Sequence, residues 1–143
     1  MCTQVVKGRN ELMISKICTR CKKELPITEF YKNANRKTGH SFCKVCHSKA
    51  IQQVYLNKTN ILNKYKENLG CKKCGDKRFY LLDFHHTNGN EKTFTIAKAM
   101  KCSLEVIMEE VKKCDVLCAN CHREWHYLSE HNSNYDYNTW IGE

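Results

Sequence analysis

The sequence predicts a small α+β fold, zinc-stabilised and divided into two modules joined by a helix, on three observations. Eight of the eleven cysteines fall into four Cys-x-x-Cys pairs: Cys18/Cys21, Cys43/Cys46, Cys71/Cys74 and Cys118/Cys121. A two-residue gap lets both thiolates of a tight turn reach one tetrahedral ion, so the pairs read as zinc knuckles rather than as a disulfide framework. Apolar residues recur at helical spacing between Ile51 and Leu69, and strand-like runs alternate with short helical patterns after Cys71. With 143 residues shared between two modules, neither has the surface to bury a large core, and a metal staple is expected to replace it.

Taken in order, residues 1–16 carry no clear pattern and read as a loose arm. Residues 17–48 hold the first two cysteine pairs around a polar middle with Pro26, the only proline, and Gly39, which reads as a zinc-ribbon-like module. Residues 49–69 place Ile51, Val54, Tyr55, Ile61, Leu62, Tyr65 and Leu69 largely three and four apart, ending at Gly70. That is a linker helix of about 20 residues, taken as a packing helix with a lysine-bearing solvent face rather than one that contacts a ligand. The second module spans residues 70–131. It opens with the knuckle CKKCG and the strand RFYLLDFHH, continues through a short helix marked by Leu104, Ile107, Met108 and Val111, and closes with the strand DVLC and the helix HREWHYLSEH. Residues 132–143 are read as a tail.

Sequential pairing of the knuckles closes loops of 21 residues (Cys21 to Cys43) and 43 residues (Cys74 to Cys118). Local closure costs less chain entropy than an interleaved pairing and gives each module its own ion, although interleaving is the alternative. Cys18, Cys21, Cys43 and Cys46 then hold one structural zinc, and Cys71, Cys74, Cys118 and Cys121 a second. Cys2, Cys102 and Cys114 are left as ordinary thiols. With Cys118 and Cys121 occupied, His122 and His126 sit four apart on a helix, so that their rings project from one face. Asp83, His85 and His86 crowd the end of the preceding strand in the same module. Four histidines so arranged read as a second kind of metal site, whereas His40, His47 and His131 have no such company.

The formal charge of +9 and a pI near 9.0 suit a polyanionic partner, with nucleic acid the default. The N-terminus MCTQVVKGRN has no signal-peptide pattern, and no run of about 18 apolar residues suggests a membrane span, so a cytoplasmic location and no membrane partner are expected.

Cys71-x-x-Cys74, then LDFHH, then VLCANCHREWH resembles the zinc-bearing branch of the HNH endonucleases, the ββα-metal nucleases of phage genomes, restriction systems and mobile introns. The likeness covers residues 70–130. It implies a ββα-metal domain and hydrolysis of DNA phosphodiester bonds, as a nick or a double-strand cut, in a phage or mobile-element setting within a bacterial cell. By that resemblance His86 is the general base, His85 and His122 hold one catalytic divalent ion, and His126 is a third ligand or a supporting residue. Imidazole ligands suit Zn, Ni, Co or Mn better than Mg, but family members with Asp or Asn in these places use Mg, so the expected catalytic ion is Mg, Mn, Ni or Zn. The family's middle asparagine has no counterpart in KKCDVLC, where Lys113, Cys114 and Asp115 stand; Asn88 and Asn120 are weaker candidates. The N-terminal ICTRCKKELPITEFYKNANRKTGHSFCKVCHSK is similar to the small zinc module often found ahead of phage HNH domains, implying DNA contact or docking. Lys72, Lys73, Lys77, Arg78 and Arg123 lie near the proposed site and are expected to help as a group with phosphate contacts.

Two other functional classes fit the same composition. One is a non-catalytic zinc module that binds nucleic acid as a regulator; the other is a protein-interaction adaptor, with a protein partner or a homodimer in place of a substrate.

Overall fold

The computed structural model describes residues 14–35, 39–87, 93–132 and 135–142. They belong to two compact units, Met1–Gln53 and Val54–Glu143. Among the described residues there are two small sheets and five helices, and no helix is long and apolar enough to cross a membrane. Cys2 and Asn88 lie outside the described residues.

In the first unit, β1 (Ser15–Ile17) pairs antiparallel with β2 (Glu24–Pro26), starting inside the stretch read as an arm. The turn between them carries the first cysteine pair and is closed by backbone bonds from Cys18 N to Lys23 O and from Lys22 N to Cys18 O, both 2.9 Å. Lys22 adopts a left-handed φ of 62° to make that turn. Strands of three residues are too short to leave an alternation that sequence reading could find. The core is correspondingly small: Cys18, Phe30, Cys43 and Cys46 are buried, with Leu25 and Phe42 packed against them.

The helix α1 (Lys44–Leu69) has 26 residues, longer than the linker helix expected, because it begins at the second cysteine pair rather than after it. Cys43 immediately precedes it, Cys46 stands in its first turn, and His47 N donates to Cys43 O at 2.9 Å. The first module is therefore a hairpin knuckle plus a helix start, in place of the two knuckles of a ribbon.

In the second unit the Cys71 knuckle leads into a 3-10 turn at Phe79–Leu81, so the predicted strand is shorter than its apolar content suggested. The turn forms because Leu81 N bonds back to Arg78 O at 2.8 Å. Then β3 (Leu82–His86) pairs antiparallel with β4 (Cys114–Cys118), in a register that sets His85 opposite Asp115 and His86 opposite Cys114. Between them lie α2 (Ile96–Ala99) and α3 (Leu104–Val111), the latter as its apolar spacing predicted. Ile107 and Val111 of α3 are buried with Leu62 of α1 and Ala99 of α2.

Immediately after β4 comes α4 (Ala119–His131), packed with the ribbon around Leu82, Val116 and Leu117. The residues read as a tail hold α5 (Tyr137–Ile141), whose Trp140 is 3% exposed and belongs to that same core. Asp136 starts α5 by accepting from Thr139 N at 3.1 Å, a capping signal next to an indole that the sequence reading passed over.

Candidate metal centres

Three clusters of ligating side chains form among the described residues, each with its ligand atoms within 4.8 Å of one another: Cys18/Cys21/Cys43/Cys46, Cys71/Cys74/Cys118/Cys121, and His85/His122/His126. The sequential pairing of knuckles is the one observed. None of the cysteines in these clusters is in a disulfide.

Both thiol clusters have the same construction. One pair sits on a turn, and the other straddles the start of a helix, α1 for Cys43 and Cys46, α4 for Cys118 and Cys121. Backbone amides point at the sulphurs: Cys43 N lies 3.3 Å and Cys21 N 3.5 Å from Cys18 Sγ, and Cys121 N lies 3.5 Å from Cys118 Sγ. Cys74 Sγ and Cys118 Sγ are 3.7 Å apart. Four thiolates ~2.3 Å from a tetrahedral zinc have edges of ~3.8 Å, so this donor set fits zinc.

The acidities agree. Burial raises Cys18, but the amides of Cys21 and Cys43 outweigh it and lower the thiol to about 6. Cys46, buried and facing the other sulphurs, is pushed up to about 12. The second cluster repeats this, with Cys71 lowered to about 7 against burial by the amides of Cys118 and Cys74, and Cys121 raised by burial. In each cluster the backbone favours one thiolate, Cys18 or Cys71, while burial opposes ionisation of another, Cys46 or Cys121, the form that a bound cation would favour.

The histidine cluster is built from both strand and helix. His85, 7% exposed, comes from β3, and His122 and His126 come from successive turns of α4. Ring centroids lie 5.0 Å apart for His85 and His122, 5.4 Å for His85 and His126, and 4.9 Å for His122 and His126, with the last two Nε2 atoms 3.2 Å apart. His126 thus joins the ligand set. Tyr137 of α5 stacks on His85 at 5.4 Å, and its hydroxyl donates to Asp115 at 2.9 Å. Asp83 Oδ2 stands 3.7 Å from His122 Nδ1, on the opposite side of the ring from His126. A carboxylate there orients an imidazole whose other nitrogen binds a metal. Burial, then the neighbouring imidazoles, lowers His85 to about 4, and burial followed by His126 lowers His122. Both rings are therefore neutral at pH 7, the form that binds a cation. Three imidazoles with His126 exposed leave coordination positions open, unlike the closed thiolate sets.

His86 is not in that cluster. Neighbouring strand residues face opposite sides, and His86 turns towards α3, where its Nε2 lies 2.8 Å from Glu110 Oε1. Glu110 is 2% exposed and also accepts from Thr93 N at 2.9 Å, Phe94 N at 3.4 Å and Lys113 Nζ at 2.9 Å. The Lys113 bond, together with His86 and the two amides, outweighs burial and holds its carboxyl at about 2. Sequence reading missed Glu110. A helical projection of α3 would have flagged it, because Glu110 follows Ile107 by three residues and adjoins Val111 on the apolar face. A cleft of about 410 Å³ is lined by His86 and His122 together with Tyr55, Thr59 and Asn63 of α1.

The basic residues divide. Lys72 pairs with Asp115 at 3.1 Å, Lys73 donates to the Trp140 carbonyl, and Arg78 binds Asp76 with Nε to Oδ1 at 3.0 Å. These charges hold the knuckle and α5 in place. Lys77 and Arg123 are exposed. Of the middle-motif candidates, Lys113 is engaged with Glu110, Cys114 Sγ donates to Glu110 O at 3.5 Å, Asp115 takes Lys72 and Tyr137, and Asn120 is exposed in the first turn of α4.

No family model, curated protein or solved structure matches this chain.

Proposed function

We propose that the chain is a metal-dependent DNA endonuclease of the HNH kind, hydrolysing phosphodiester bonds with His86 as general base. The observation that carries this reading is the convergence of His85, His122 and His126 within 4.8 Å, beside a cleft that His86 also lines. In this reading the two thiolate clusters hold structural zinc, and the three imidazoles would hold the catalytic ion. Bound there, a divalent ion supplies charge relief to the phosphoryl oxygens and the departing 3′-oxygen. Imidazole ligands favour Zn, Ni, Co or Mn over Mg.

The chain's own part is proton transfer and placement. His86, with Nε2 engaged by Glu110, takes the proton of the attacking water at Nδ1. Asp83 and Tyr137 keep His122 and His85 in orientation. The charge of +9 draws DNA in, with Lys77 and Arg123 as the members of the expected set that contact phosphate and with strong salt dependence.

The test is plasmid cleavage by the pure zinc-loaded chain with Mg, Mn, Ni or Zn added. Nicking by the parent and a loss of about 100-fold or more in His86→Ala are expected. Cleavage with none of the ions, or equal cleavage by the variant, refutes the proposal; DNA binding without cleavage would leave a regulatory zinc module in its place.

A further inference from the structure

A carboxylate can only accept hydrogen bonds. A neutral imidazole carries a single N–H, so a ring nitrogen facing an ionised carboxylate must be the one that bears it. His86 Nε2 faces Glu110 Oε1 at 2.8 Å, and Thr93 N, Phe94 N and Lys113 Nζ supply the other donors to the same side chain. Three other donors already converge on this buried carboxylate, and among the described residues no acceptor is seen competing for its place. We infer that Glu110 is the positioning residue of His86: it fixes the Nε2–H tautomer, leaves the lone pair on Nδ1 to accept a proton, and ties the end of β3 to residues 93–94 and α3.

This assignment rests on the nuclease reading for its consequence, but not for its geometry. It also fills the role left open between the strands, where Lys113, Cys114 and Asp115 had offered no orienting group. Glu110 reaches His86 from 24 residues away.

Glu110→Gln is the informative variant beside Glu110→Ala. The two backbone amides and, in this assignment, His86 all donate to Oε1, so a glutamine keeps its carbonyl oxygen there and gives up only the Lys113 bond, since its amide is a donor like the lysine. It preserves the tautomer while removing the charge; alanine removes both. The expected order of kcat is parent, then Gln, then Ala, with a loss of about 10- to 100-fold in the alanine variant and KM for DNA within about twofold. Zinc content and far-UV circular dichroism establish that each variant is folded.

The tautomer is read separately from activity, in long-range proton–nitrogen NMR spectra of the ¹⁵N-labelled, zinc-loaded full chain above pH 8, with His86→Gln identifying the signals. His86 in the Nε2–H form in the parent and in Glu110→Gln supports the assignment. An Nδ1–H form in the parent overturns it, even if no variant folds. Unchanged kcat in the alanine variant, or a change confined to KM, also overturns it. A parent that cuts no DNA defeats the nuclease reading alone, and the tautomer then still decides the pairing.

Discussion

His85 is the residue at which burial and chemistry meet most closely. Its depressed pKa of about 4, set by burial and then by His122 and His126, means that the folded chain keeps the ring neutral where the unfolded chain takes up a proton near 6.5. Its contribution to stability is therefore fully present above about pH 6.5 and is lost progressively as pH falls towards 4. In the chain with structural zinc bound and no further ion added, the melting temperature should fall more steeply across that window in the parent than in His85→Asn. Equal slopes would show that His85 is not the titrating group. The pairing of His122 with His126 was legible in the sequence because four residues on a helix are one turn of backbone. The adjacent pair His85 and His86 was read with two different roles, and the strand turns the two side chains to different partners, since adjacency along a strand separates side chains instead of joining them. Glu110 was illegible as a partner because nothing local connects it to His86.

Among the elements, the segment leading to the second cysteine pair depends on a single backbone conformation. Gly39 has a φ of +71°, and a Cβ there would meet the Tyr31 carbonyl oxygen at 2.5 Å, on the very group that accepts from His40 N. Gly75 has a similar φ of +77° but open space around it. Gly39→Ala should cost about 3 kcal/mol and Gly75→Ala about 1 kcal/mol, measured as urea-unfolding free energies of the zinc-loaded chain. Equal costs would mean that the contact with Tyr31 relaxes freely. Sequence marked α3 well because its apolar spacing runs through its whole length of about two turns. It missed the β1–β2 hairpin, whose strands have three residues each, and α5, whose five residues owe their helix to the Asp136 cap and the burial of Trp140.

For the molecule as a whole, the prediction is stoichiometric. Each unit has its own four-thiol cluster, so native mass spectrometry should find two tightly held zinc ions, with Cys18→Ser losing one and Cys71→Ser losing the other. Each ion contributes on the order of 10 kcal/mol to the unit it closes. A single ion in the parent would refute the two-site assignment. This level of organisation was the most legible, because the spacing of metal ligands is fixed by bond lengths rather than by packing. The seating of each cluster at the start of a helix has one more effect. Four thiolates around a divalent cation carry a net charge of −2, and the first turn of an α-helix presents about half a positive charge through its unpaired amides. In α1 and α4 that positive end lies against the cluster, favouring its negatively charged, metal-loaded form. Metal and helix therefore hold one another: the proton that finally displaces the ion also removes the counter-charge that keeps the first turn wound.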